Sequence, residues 1–322
     1  MAGVKEAAGT GARAASLDHQ LVAFGVMVAF FLIAPFFMYP VFLMNVLCFA
    51  LFACAFNLLV GYVGLLSFGH AAFMGMAGYV CGHAAKVWGL TPELAILLGT
   101  AAAAFLGLVV GALAIRRQGI YFAMITLALA QMVYFFCVQV RFTGGEDGIQ
   151  AIPRGRLFGL VDLNAMLPMY FVVLAVFLFG FLLLYRTVHS PFGQILKAIR
   201  ENEPRAISLG YRVDHYKLIA FVLSAALSGL AGATKAVVFQ LASLTDVHWS
   251  MSGEVVLMTL VGGLGTVFGP VVGALIIVAM QNYLTGLGSW VLVTQGIIFV
   301  ACVLAFRRGL VGELARLVRK PL

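Results

Sequence analysis

Residues 93–115 read ELAILLGTAAAAFLGLVVGALAI, and Arg116 and Arg117 follow them. The only charge in this run is Glu93, at its first position. A helix needs about 20 mostly apolar residues to cross the hydrocarbon core of a bilayer. The run meets that length, and its arginine pair belongs at an aqueous edge. Its backbone should be helical, because lipid offers no partner to a free N–H or C=O.

Runs of the same kind lie near 21–39, 41–60, 66–85, 119–140, 168–186, 217–238 and 289–306. Strands of a membrane barrel would show segments of about ten residues with alternating polarity, and that pattern is absent. Composition agrees: the chain is 63% hydrophobic and 10% charged, against roughly 45–50% and 25% in soluble domains. The expected fold is an all-α, polytopic helical membrane bundle of about ten transmembrane segments. It forms one domain, with a polar tip at 1–20, a membrane domain at 21–306 and a basic tail at 307–322.

The formal charge of +8 is spread over span ends and one loop, without the aromatic-interleaved basic surface of a nucleic-acid binder. Lys and Arg at cytoplasmic edges account for it. Cys48, Cys54, Cys81, Cys137 and Cys302 all fall inside apolar runs, with no C-x-x-C pair or His-Cys cluster, so neither disulfides nor a metal site is expected. Lys5 and Arg13 precede an apolar run too long for a cleavable signal, which reads instead as the first span.

The densest basic loop runs from Arg186 to Lys217 and includes Lys197, Arg200, Arg205 and Arg212. The positive-inside rule puts it in the cytoplasm together with Arg116-Arg117, with loop 141–167 outside and residues 1–20 inside. The tail, with Arg307, Arg308, Arg316, Arg319 and Lys320 against Glu313, should also be inside. That requires a break in 253–284. GGLGTVFGP at 262–270 supplies one, since clustered glycines and Pro270 disfavour a continuous helix. A short helix at about 253–263 and a span at about 267–284 are expected.

Small residues recur four apart at Gly78/Gly82, Gly107/Gly111, Ser224/Ser228/Gly232 and Gly265/Gly269/Gly273. Such stripes let helices approach closely in lipid.

The loop 187–216 contains SPFGQILKAIRENEPRAISLGYRVDHY from Ser190 to Tyr216. Two short helices are expected, at 192–201 and 203–209, with Pro204 in a first turn and Gly210 as a stop. Such a piece suits docking to a soluble partner. A solvated connector that merely obeys the charge rule reads equally well.

Here resemblance adds what spacing leaves open. EPRAISLG at 203–210 resembles the coupling segment of bacterial ABC importer permeases, although Pro204 and Arg205 depart from its alanine positions. The wider string AIRENEPRAISLGY at 198–211 is similar to the Leu/Ile/Val permease subfamily. GLLSFGHAAFMGMAGY (64–79), QGIYFAMITLALAQM (118–132), TGGEDGI (143–149) and SGEVVLMTLVGGLGTVFGPVVGA (252–274) follow the same order as in LivM-type permeases of branched-chain amino acid importers. The resemblance covers about residues 45–312.

It implies a permease subunit in a bacterial inner membrane, both termini cytoplasmic, importing Leu, Ile or Val. Its partners would be a second related permease in a heterodimer, two cytoplasmic ABC ATPases and a periplasmic substrate-binding protein. The chain has no Walker A motif, so ATP and Mg would sit on partner subunits and this chain would bind no cofactor. Lys197, Arg200, Glu201, Glu203, Arg205 and Gly210 would then couple it to the ATPases. Charge reversal at Glu201 and Glu203 should uncouple transport without unfolding the bundle. A urea or short-chain amide importer is the alternative within the family, and a secondary transporter outside it. No catalytic constellation is visible.

Candidate path residues are Phe68, His70, Phe73, Gln131 and Glu254. An ionisable group at membrane depth is a functional candidate by default, while His70 and Gln131 also read as hydrogen-bonding glue between helices. Glu254 reads also as a dipole cap for the short helix near 253. Asp246, His248 and Trp249 are expected in an outer loop, and Lys235 to snorkel outward. Thr143, Glu146 and Asp147 are candidates for docking the binding protein, beside a purely structural, glycine-turned loop.

Overall fold

A computed structural model describes residues 20–157, 159, 161–284, 290–305 and 309–317. The polar tip up to residue 19 and the tail residues Arg307, Arg308, Arg319 and Lys320 lie outside the described residues. Helices account for most of the rest: α1 (Gln20–Phe36), α2 (Pro40–Asn57), α3 (His70–Lys86), α4 (Pro92–Ala114), α5 (Ile120–Gln139) and α6 (Met166–His189). Then come α7 (Pro191–Glu201), α8 (Glu203–Ser208), α9 (Val213–Phe239), α10 (Trp249–Gly262), α11 (Gly269–Tyr283), α12 (Trp290–Ala305) and α13 (Gly309–Leu317). Five of these, counting α2 through Val63, are long and apolar enough to cross a membrane. The chain is an all-α polytopic bundle, and each expected span has a helix near its place.

α2 is apolar all round, as a fully enclosed helix must be, and 94% of its span is buried. α5 is the opposite, with 28% of its span buried. α3, α4 and α9 pack closely through small residues. A methyl at Gly232 would strike the Met74 carbonyl, and one at Gly99 would stand 2.6 Å from the Ala77 carbonyl oxygen. These stripes thus serve close backbone approach. Gly265 leaves its expected stripe, because its φ of 77° puts it in a turn instead.

The span expected at 66–85 loses its first turn. α2 ends in a π-helical turn, Leu58–Val63, Gly64 turns left-handed, and residues 64–69 run without helix to His70. Side chains replace the missing ladder: Phe68 N donates to Thr126 Oγ1 at 3.2 Å, and Ala71 N to Ser252 Oγ at 2.9 Å. Non-helical backbone at this depth is tolerable only with such partners.

The break expected near 262–270 is present. α10 and α11 form an antiparallel hairpin, in which a side chain at Gly273 would hit the Met258 carbonyl. With 14 and 15 residues, each arm rises only about 21–23 Å. Its tip sits at the same end of the bundle as the connector α7–α8. Gln20 is there too, accepting a hydrogen bond from Tyr185 at 2.9 Å, as is Gly309, whose backbone lies against Gly263. The loop 141–167 is at the other end. There Lys86 donates to the Gln150 carbonyl, and β1 (Ile149–Gln150) pairs antiparallel with β4 (Leu241–Ala242). In the same loop β2 (Arg156–Leu157) pairs with β3 (Val161–Asp162).

Candidate functional site

The connector folds from local rules. Ser190 Oγ accepts from Gly193 N, Pro191 fills the first turn, and α7 runs to Glu201. Asn202 Oδ1 then accepts from Arg205 N to start α8, and Gly210, at φ 88°, ends the motif. Ile199, Ala206 and Val213 make a small core of their own, with Ile195 and Tyr216 against it. The two helices therefore form a compact unit set on the ends of α6 and α9.

The six charged and turn residues expected in coupling divide into two groups. Glu201, Arg205 and Gly210 are exposed. The other three make contacts within the chain, Arg200 from an exposed position and Lys197 and Glu203 from half-buried ones. Glu203 Oε1 accepts from Lys217 Nζ at 2.7 Å and from Gln118 Nε2 at 2.8 Å. Arg200 donates to the Gly61 carbonyl, and Lys197 lies 5.5 Å from the Tyr62 ring centre. Lys217 is only 2% exposed, so reversing Glu203 would leave a buried ammonium facing another cation. Reversal of both glutamates, expected to leave the bundle folded, therefore carries a structural cost at Glu203. What the connector offers outward is also apolar: Ile207 and Leu209 are 58% and 69% exposed. The charge pattern of the loop gives no sign of these two residues.

His70 and Phe73 pack together in the first turn of α3, and Phe68 lies just before it. The His70 ring lies 5.0 Å from Phe56, 5.6 Å from Phe73 and 6.1 Å from Phe221. Its Nε2 is 2.8 Å from Ser224 Oγ, which donates its one proton to the Ala55 carbonyl. Nε2 must then carry the imidazole proton. His70 is fully buried and bonds from α3 to α9, whose Ser224 in turn reaches α2. Gln131 is half-buried on α5, apart from this cluster.

Glu254 does not cap its helix. α10 begins five residues earlier, with His248 Nδ1 accepting from Ser250 N as the cap. Glu254 instead accepts from Gln281 Nε2 at 2.9 Å, across the hairpin. Trp249, expected in a loop, is the first helical residue of α10 and half exposed. Lys235 reaches toward the segment before α10 and pairs there with Asp246 at 2.5 Å. In the loop at the other end, Glu146 and Asp147 are exposed, while Thr143 is buried and donates to the Cys137 and Val140 carbonyls. Burial removes Thr143 from any docking surface.

Two polar residues that the sequence reading missed hold the hairpin in place. Ser252 caps the start of α3 from α10. Asn57, 3% exposed near the end of α2, donates to the Thr266 carbonyl at 2.8 Å and accepts from Gly265 N at 3.0 Å. Asn57 is one of two asparagines in the apolar run 41–60, a visible clue, though not to its partner. A cavity of 550 Å³ opens beside the tip, lined by Gly61, Tyr62, Lys197, Arg200, Gly265 and Val267 among others. Among the described residues no three His, Cys, Asp or Glu side chains gather into a metal site.

Residues 38–306 match the family model described as branched-chain amino acid transport system / permease component. The chain is 25% identical over 277 residues to the high-affinity branched-chain amino acid transport system permease protein LivM of Escherichia coli K12. That covers 79% of this chain and 65% of the relative, so the chain spans slightly less than two thirds of the latter's length. It is 30% identical to the ribose import permease protein RbsC of Bacillus subtilis 168, over 69% of this chain and 70% of that protein. A probable branched-chain amino acid transport permease protein LivM of Methanocaldococcus jannaschii is 27% identical over 58% of this chain and 55% of its own length. No solved structure matches the chain.

Proposed function

From the premise that the chain belongs to the family of permease components of branched-chain amino acid transport systems, we propose that it is a membrane subunit of an ATP-driven, binding-protein-dependent importer for Leu, Ile or Val. The observation that carries this reading is the connector: a self-packed two-helix unit at one end of the bundle, with Ile207 and Leu209 exposed. An exposed apolar pair on a rigid, polar mount suits a groove on a soluble partner. Two ABC ATPases are the partners assigned to it, carrying the ATP and Mg, because this chain has no Walker A motif. A second, related permease would complete the pathway in a heterodimer. A periplasmic binding protein would dock at the opposite end, near Glu146 and Asp147.

Orientation follows from charge. Arg116, Arg117, Arg186, Arg205 and Arg212 lie at the connector end, which the positive-inside rule makes cytoplasmic in a bacterial inner membrane. Both chain ends are assigned to that side.

The test is uptake by the assembled transporter in vesicles, with labelled leucine, isoleucine and valine and with urea and ribose as competitors. ATP-dependent leucine uptake that needs every partner is the expected result. Uptake by this chain alone would make it a secondary transporter, and uptake of urea but not leucine would move it to the related amide importers.

A further inference from the structure

We propose that Asn57 and Arg200 are positioning residues that tie the hairpin tip 263–268 to the connector helix α7, so that the tip moves with α7 as a gate. The proposal rests on the transport reading above. Several observations lead to it. The tip is non-helical backbone inside a helical bundle, and its polar groups need partners. Asn57 supplies both a donor and an acceptor, to Thr266 O and from Gly265 N. An amide side chain carries its donor and its acceptor on two separate atoms, so it can hold two backbone groups at once. The approach is close: a Cβ at Gly61 would lie 2.8 Å from Gly265 N and collide with the Asn57 amide.

The tip is also folded within itself. Thr266 Oγ1 donates to the Gly263 carbonyl at 2.7 Å and accepts from Gly269 N at 3.1 Å. Gly263 and Gly265 hold φ of 125° and 77°, which L side chains rarely adopt. A segment so braced moves as a piece. On the connector side, the Gly61 carbonyl lies in the π-helical turn and accepts from Arg200. Turns of this type loosen the regular ladder and recur at functional sites. The path is then continuous, from Arg200 on α7 through Gly61 and Asn57 on α2 to Gly265 and Thr266. The cavity lined by Gly61, Arg200, Gly265 and Val267 gives the tip room to move.

The test uses the whole assembled transporter. Arg200→Ala, on the exposed face of α7, should lower solute moved per ATP hydrolysed by about tenfold, the scale of one lost charge-assisted hydrogen bond. Arg200→Lys should recover part of it, since an ammonium can still reach the carbonyl. A second measurement needs no transport: a Val267→Cys thiol, labelled in membranes, should react about tenfold faster when Asn57→Ala releases the tip. If the unsubstituted complex shows no ATP-driven uptake, the transport reading fails, while the labelling arm still judges the latch. An unchanged ratio of uptake to hydrolysis in Arg200→Ala, or an unchanged labelling rate in folded Asn57→Ala, overturns the latch.

Discussion

Lys235 Nζ lies 2.5 Å from Asp246 Oδ1, and each side chain is 15% exposed. The pair joins α9 to the segment that turns back into the bundle before α10. The Lys235 ammonium also stands 5.0 Å from the Phe49 ring centre, so the lysine joins its own helix to two further elements. Removing one partner strands the other charge. Lys235→Met or Asp246→Leu alone should cost about 3 kcal/mol, whereas the double variant should recover much of the loss. Unfolding of the purified chain in detergent measures it; singles no worse than the double would refute a net role for the pair.

The two glutamates of the connector should behave differently. Glu201→Lys, at an exposed position, should leave stability within about 0.5 kcal/mol. Glu203→Lys faces the nearly buried Lys217 and removes the acceptor of Gln118, at a cost of about 3–5 kcal/mol. Thermal unfolding of the two variants side by side is sufficient, and equal midpoints would contradict this.

Two glycines give a paired test of helix packing. A methyl at Gly232 would meet the Met74 carbonyl, whereas a Cβ at Gly253 would have nothing within 4 Å. Gly232→Ala should destabilise by about 1–3 kcal/mol. Gly253→Ala should be neutral or stabilise by up to about 1 kcal/mol, because Ala is the better helix former. Equal effects would mean that α3 and α9 are less closely packed than described.

If the connector docks the ATPases proposed above, Ile207→Asp combined with Leu209→Asp should abolish that docking. The unfolding midpoint of the chain should not move, since both side chains are exposed. Co-purification from detergent reads the first and calorimetry the second. ATPases retained at full stoichiometry would remove the connector from that interface.

Much of the connector was legible in advance because its cues are local. Pro191, Pro204 and Gly210 mark starts and a stop, and the helices fall at Pro191–Glu201 and Glu203–Ser208, close to the expected 192–201 and 203–209. The hairpin break was legible for the same reason, in Gly262, Gly263 and Gly265. Glu254 was misread because the helix start was placed too late. The true cap, His248, bonds two residues ahead with an imidazole nitrogen, and His lies outside the usual capping set. The partner of Lys235 was not legible, because Asp246 lies beyond the end of α9 and only the fold of that segment brings it back.

The sequence by itself determined the all-helical membrane class, the places of the spans and the relative sidedness of the loops. Hydrocarbon thickness, helix rise and the placing of Lys and Arg act over tens of residues at most. Only the tertiary structure decided what the polar groups inside the bundle do. Asn57 finds Thr266 across 209 positions and His70 finds Ser224 across 154. No local pattern encodes such pairs, because in lipid a polar atom takes whichever partner the packing of the helices brings within reach.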